Sequence, residues 1–281
     1  MPKAAAPLEL PSTCPEAVDG IRVGIGGWTY APWRDNFYPK GLVQRRELEY
    51  ASRHVNTIEV NGTWYGAQKP ATYAKWRDET PDGFVFSAKA PMRITMARTL
   101  AGTGAQVDAF LGDIVTLGDK LGPIVWQFDP ERKLARDDFA AFLELLPHEV
   151  DGRRIRHVLD VRVHAFFDAD YLALARTHGM ATVFTDSPEH PSHADTTGDF
   201  VYARLMRTRS DVATGYPPAE LKQWAARART WAKGGQPADL PRLEPGRQPP
   251  QRARDVFVYF ISSAKERNPA AAMALLRALG A

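Results

Sequence analysis

The chain is nearly without cysteine: its 281 residues include a single one, Cys14. That excludes an intramolecular disulfide and any site built from several thiolates. Long apolar runs are also missing, and nothing approaches the ~18 consecutive apolar residues of a membrane-spanning helix. The first residues, MPKAAAPLELPSTCPEAVDG, carry no apolar core of a secretory signal, so the expectation is a cytoplasmic protein without a membrane partner. Signatures of nucleophile and nucleotide chemistry are absent as well: there is no G-x-S-x-G, no G-x-x-x-x-G-K-[ST] and no H-E-x-x-H. Charge of one sign is scarce. Lys+Arg 36 against Asp+Glu 33 leaves 36 − 33 = +3, weak support for the concentrated basic face that holds a nucleic-acid backbone.

What is present is a globular composition, 44% hydrophobic and 25% charged. Residues 1–20 show no hydrophobic period and read as a flexible tail. From Ile21 onward β-rich runs recur at 21–27, 55–60, 83–89, 123–128, 155–161, 180–184, 200–206 and 255–261. Helical patterns fill the gaps at 42–54, 70–79, 105–121, 137–146, 168–177, 217–232 and 268–279, with start signals at Asp168, Pro217-Pro218 and Asn268-Pro269. The gap 185–199, TDSPEHPSHADTTGD, is turn chemistry throughout.

Eight strands alternating with helices predict an α/β fold: a single-domain TIM-type (β/α)8 barrel over 21–281, its sixth helix missing or replaced by a loop. The rival, an open dinucleotide-binding sheet, fails at GIGGWT, where Thr29 stands in place of the third glycine. Residues 234–254 hold five prolines, three glycines and four arginines and read as a mobile, solvated loop insertion.

In such a barrel, chemistry gathers where strands end. Unusual polar residues fall there on every side. Glu59, Asp160, Asp186 and Lys89 are the candidate catalytic residues. Trp28, Tyr30, Trp33, Asn61, Tyr65, Arg93, Gln127, Arg162, Arg204 and Tyr259 are the candidate substrate-binding set. Charged side chains are rarely buried without partners, so this convergence points to mutual pairing or to a polar ligand.

The strings GGWTYAPWRDNFYPKGL, RHVNTIEVNGTWY, FVFSAKAPMRIT and DVFVYF resemble the YecE-like family (domain of unknown function 72), from about Ile21 to Leu279. The resemblance implies a TIM-type barrel and no particular reaction. It places the family's typical positions on Trp28, Tyr30, Trp33, Glu59, Asn61, Tyr65, Lys89, Pro91 and Gln127. Two departures stand out. Relatives usually read V-E-x-R-H after the fifth strand, where this chain has Leu159-Asp160-Val161-Arg162-Val163. An Asn/Asp-rich stretch after the eighth strand is here Ser262-Ser263-Ala264-Lys265.

Carboxylates with unlike surroundings suit acid/base chemistry, cations suit an anionic ligand, and aromatics suit stacking on a sugar or base. The leading expectation is an enzyme, whether hydrolase, lyase or isomerase, acting on a sugar- or phosphate-containing small molecule. A nucleic-acid binding or processing protein and a non-catalytic binding protein are the alternatives. Arg204, Arg207 and Arg209 with Ser262 and Ser263 mark a phosphate site after strands seven and eight. No cofactor is expected. His190 and His193 sit beside prolines and read as loop, which leaves divalent-ion coordination by Glu59, Asp160 and Asp186 as the metal arrangement to test.

Overall fold

The computed structural model of the chain describes residues 10–281. Eight parallel strands among the described residues close into one barrel. They are β1 (Ile21–Gly26), β2 (Thr57–Val60), β3 (Val85–Lys89), β4 (Leu121–Phe128), β5 (His157–Val161), β6 (Ala181–Thr185), β7 (Val201–Leu205) and β8 (Val256–Phe260). Each pairs with its sequence neighbours, and β8 closes on β1 in the register Ile21 to Val256 through Ile25 to Phe260. Around them lie α1 (Glu47–Ala51), α2 (Pro70–Glu79), α3 (Gly104–Ile114), α4 (Arg136–Glu144), α5 (Ala169–Thr177), α6 (Pro218–Ala232) and α7 (Asn268–Leu279). Among the described residues no helix is long and apolar enough to cross a membrane.

The pleat sends alternate residues to opposite faces, so each strand serves two cores. Outward residues such as Ile58, Phe86, Trp126, Leu159 and Phe260 pack beneath the helices. Inward residues including Val125, Val158, Val183, Tyr202 and Tyr259 fill the barrel as a second cluster. A buried histidine belongs to the outer layer: His157 accepts from Trp126 Nε1 at 3.0 Å and lies 2.8 Å from the Pro147 carbonyl. Burial drops its pKa to about 4, which keeps it neutral.

Sequence signals explain the helix starts. The Asp168 side chain accepts from Tyr171 N at 2.9 Å and caps α5, while proline opens α2, α6 and α7. The expected helix at 42–54 shortens to α1 behind a single turn, Gln44–Arg46. Between β6 and β7 there is no helix. A small hairpin, Glu149–Val150 with Arg153–Arg154, precedes β5, turning at Asp151 and Gly152 with φ of 50° and 72°.

Two segments differ from expectation. The lead-in is held over its described part: Asn56 Nδ2 donates to the Glu16 carbonyl at 3.2 Å and Ile21 N to the Val18 carbonyl at 2.8 Å. Residues 1–9 of that expected tail lie outside the described residues. The insertion at 234–254 is anchored rather than mobile. Asp195 accepts from Leu243 N at 2.8 Å and Glu244 N at 3.1 Å, and Ala194 N donates to the Pro241 carbonyl at 2.8 Å. Its polar backbone thus finds partners in the helix-free segment that leads into β7.

Glycine in β1 answers a steric demand. A Cβ on Gly24 would sit 1.9 Å from the Thr57 carbonyl oxygen, so β1 and β2 can approach this closely only without a side chain. Gly24→Ala is expected to destabilise the barrel by about 3 kcal/mol, the upper end of ordinary overpacking. An earlier urea midpoint would register it; an unchanged midpoint would show that the strands move aside freely.

Candidate functional site

The carboxyl ends of the strands carry an ionic network centred on Arg204 of β7. Its Nε and Nη2 donate to the two Glu59 oxygens, both at 2.8 Å, and its Nη1 donates to Asp160 Oδ2. Tyr202 adds its hydroxyl to Glu59 Oε2 at 2.7 Å, and Arg162 Nε reaches Asp160 Oδ2 at 3.1 Å. Glu59 is 0% exposed, Arg204 2% and Asp160 6%, so the network is sealed at its centre. Bidentate guanidinium–carboxylate geometry is what makes such burial tolerable. Burial works against the Asp160 carboxylate, but Arg162 and Arg204 beside it outweigh this and hold its pKa below the usual range.

Lys89, at the end of β3, stands apart from this pairing. Thr63 Oγ1 fixes its carbonyl at 2.7 Å, while its ammonium lies 4.9 Å over the Trp64 ring and makes no ion pair or hydrogen bond among the described residues. Burial lowers its pKa to about 8, with repulsion from Arg204 adding to the shift and Glu59 and Asp160 opposing it. Gln127 of β4 is a second unfilled group. Its Nε2 donates to Asp129 at 2.7 Å, which leaves a buried Oε1 without a partner. Gln127 lies in register with Asp160 of β5.

The remaining expected site residues separate into three groups. Asn61, Tyr65 and Arg93 are on the rim: Asn61 Nδ2 reaches back to the Glu59 carbonyl at 3.4 Å, Tyr65 is 76% exposed and Arg93 is exposed on the turn Met92–Thr95. The aromatics after β1 are structural instead of forming a stacking platform. Trp33 is fully buried and donates Nε1 to the Lys265 carbonyl at 2.8 Å; Trp28 packs edge-on to Trp76 of α2 at 5.1 Å. Tyr30 keeps a partly open face, occupied by Lys265 Nζ at 4.6 Å. Tyr259 is likewise internal, 2.8 Å from Thr57 Oγ1 inside the barrel.

Asp186 serves another purpose than expected. It accepts from Met206 N and from the Tyr216 hydroxyl, both at 2.6 Å, and so ties the loop after β6 to the loop after β7. Burial raises its pKa against the pull of those hydrogen bonds. With Glu59 and Asp160 each gripping Arg204, the three carboxylates do not share a ligating point, and no cluster of three metal-ligating side chains occurs among the described residues.

The phosphate site expected after β7 and β8 is closed. Ser263 Oγ donates to the Met206 carbonyl, Asn268 Oδ1 accepts from Thr208 at 2.9 Å, and Arg209 faces Asp211 at 3.7 Å. Only Arg207 stays exposed there without a carboxylate among the described residues.

Sequence reasoning missed Tyr202 and Trp64. Tyr202 lies two residues before Arg204, and strand alternation alone places both on the inward face. Trp64 was masked by its neighbour Tyr65, since a short helix, Gly62–Tyr65, replaces the strand period there.

The model of the family "Protein of unknown function DUF72" matches residues 22–281, and the chain belongs to this family. The UPF0759 protein YecE of Escherichia coli K12 is 30% identical over 142 residues, and the UPF0759 protein YunF of Bacillus subtilis is 24% identical over 179 residues. The match to YecE covers 49% of this chain and 48% of YecE, so the chain spans about half the length of that relative. For YunF the shares are 60% and 61%. Among solved structures, a DUF72 protein from Enterococcus faecalis superimposes with TM-score 0.68 at 16% identity, covering 93% of this chain and 96% of that one. A DUF72 protein from Thermotoga maritima gives 0.67 at 17%, covering 92% and 96%. These two likenesses show a shared fold.

Replacing Arg204 by Met would leave two buried carboxylates facing each other, at an expected cost of about 3–5 kcal/mol. Arg204→Lys would recover little, because an ammonium cannot reproduce the three-point fork. The Asp160 pKa lies below its unfolded value, so its stabilising share is present above the ordinary carboxylate pKa and is lost as pH falls through the folded value. Denaturant midpoints against pH test both points. An Arg204→Met variant as stable as the parent, or an Asp160→Asn variant with the parent's acid sensitivity, would contradict this account.

Proposed function

We propose that this DUF72 protein is an enzyme that moves a proton on a small, oxygen-rich, anionic substrate at the carboxyl end of its barrel, with Lys89 as the acid–base group. The observation that carries the reading is Lys89 itself: a largely buried side chain whose amine lies over the Trp64 ring with no ion pair or hydrogen bond among the described residues, and whose pKa is brought down to about 8. A lysine in that state has a sizeable neutral fraction near neutral pH, as a general base requires. After taking a proton, the ammonium meets burial and the repulsion of Arg204, which outweigh the attraction of Glu59 and Asp160 and let it give the proton back.

The placement of charge supports the substrate class. Lys89, Arg162 and Arg204 stand against Glu59, Asp160 and the Asp129 carboxylate that holds Gln127, so with Lys89 protonated the mouth is balanced at 3 − 3 = 0 and none of the carboxylates is paired with Lys89. Arg162 is the partly exposed cation suited to anchoring an anionic group. Proton abstraction and return next to a carbonyl is isomerase or lyase chemistry. A glycosidase-type hydrolase needs two carboxyl groups that reach the substrate, and Glu59 has no exposed surface with which to do so.

Two measurements test the reading. In reductively 13C-methylated protein followed by NMR, Lys89 is expected to titrate near pH 8 while surface lysines stay near their ordinary value of about 10.4. In D2O, wild-type protein is expected to exchange a carbon-bound hydrogen of sugar phosphates or hydroxy-keto acids, and Lys89→Met to do so at least about 100-fold more slowly. A Lys89 that titrates with the surface lysines, or a Lys89→Met variant that exchanges at the wild-type rate, sinks the proposal.

A further inference from the structure

The proline- and arginine-rich insertion, which the mouth does not use, walls a cavity at the opposite end of the barrel. About 460 Å³ lies between the insertion, the segment entering β7 and the hairpin that precedes β5. That is within the range of sites that hold small molecules. Its lining is dominated by guanidinium groups: Arg154, Arg176, Arg247, Arg252 and Arg254.

Not all of them are paired. Arg154 is bonded to Asp199 and Arg176 to Glu244. The Asp195 carboxylate is consumed by the amides of Leu243 and Glu244. Arg247, Arg252 and Arg254 are left without a carboxylate partner among the described residues.

Arg254 is the sharpest case. It is only 7% exposed, and its Nη2 donates to the carbonyls of Gly234 at 2.8 Å and Pro250 at 2.9 Å. Its Nε and Nη1 are buried and make no hydrogen bond, and Arg176 Nε beside the same cavity is orphaned too. Buried charged donors rarely stay unmatched, and guanidinium forks suit the paired oxygens of phosphate.

We infer that this cavity is a binding site for a small molecule bearing a diphosphate, with Arg254 as its buried anchor and Arg247 and Arg252 as the outer clamp. The cavity lies at the end of the barrel remote from Lys89, so the inference stands or falls independently of the proposed activity.

Isothermal titration of the full chain with inorganic pyrophosphate and, separately, with ADP at low ionic strength tests the site. Saturable binding is expected for at least one, weakening as salt rises. The order of the two affinities tells whether a nucleoside adds to the diphosphate. The Arg247→Ala/Arg252→Ala variant alters only exposed side chains and is expected to lose at least about tenfold in affinity, and Arg254→Met more, through lost charge-assisted hydrogen bonds. Lys89→Met is expected to bind as wild type does. Absence of saturable binding by both probes, undiminished affinity in the exposed double variant, or loss of binding in Lys89→Met would overturn the inference.

Discussion

The grip of Arg204 on Glu59 and Asp160 is the constraint on which the mouth of this barrel depends. It joins residues 145 and 44 positions apart and links β7 to β2 and β5 through the interior. Ions so deeply buried are stable only when every strong donor and acceptor is engaged. Here each nitrogen of one guanidinium donates to a carboxylate oxygen, Tyr202 adds a donor to Glu59 and Arg162 one to Asp160. The grip therefore decides which charges are available for chemistry. Glu59 and Asp160 become part of the framework, and Lys89 is left as a cation without a counter-ion of its own among the described residues.

Much of the fold was legible in the chain because its signals are local. β-rich runs at the eight strands, proline at helix starts and the Asp168 cap each act over a few residues, and the barrel follows from their alternation. The helix-free link before β7 was legible for the same reason. Long-range contacts were not. The anchoring of the insertion comes from Asp195, some fifty residues upstream, and nothing in a run of prolines and arginines announces such a partner. Likewise the glycines after Ile21 look like half of a phosphate-binding turn; the approach of Thr57 explains why Gly24 is there.

The site was legible in its membership more than in its roles. Strand-end position brings Glu59, Lys89, Gln127, Asp160, Arg162 and Arg204 to one end of the barrel, since alternation and strand polarity fix where they point. What each does depends on partner geometry across the barrel, which no spacing encodes. Glu59 looked the strongest catalytic candidate because it ends a strand among polar and aromatic neighbours, yet both its oxygens are occupied. Aromatic density after β1 misled for a related reason: Trp33 and Trp28 have large apolar area to bury, and the space between barrel and helices buries it.

The two ends of the barrel solve the problem of clustered arginines differently. At the mouth, Glu59 and Asp160 from other strands pair with Arg204, and Asp160 also pairs with its neighbour Arg162; at the base, the insertion supplies Arg247, Arg252 and Arg254, which have no carboxylate partner among the described residues. A net charge of +3 averages over both and describes neither. The ends are joined by β5 and β7, whose entry segments carry Arg154 and Asp199 and whose strands carry Asp160 and Arg204. Contiguity of this kind transmits nothing by itself, because coupling requires an element with two arrangements that both sites bias. The three-point hold on Arg204 ties β7 to β2 and β5 at the mouth. An anion at the proposed base site would meet a scaffold braced in this way, so the two proposed sites are expected to act separately.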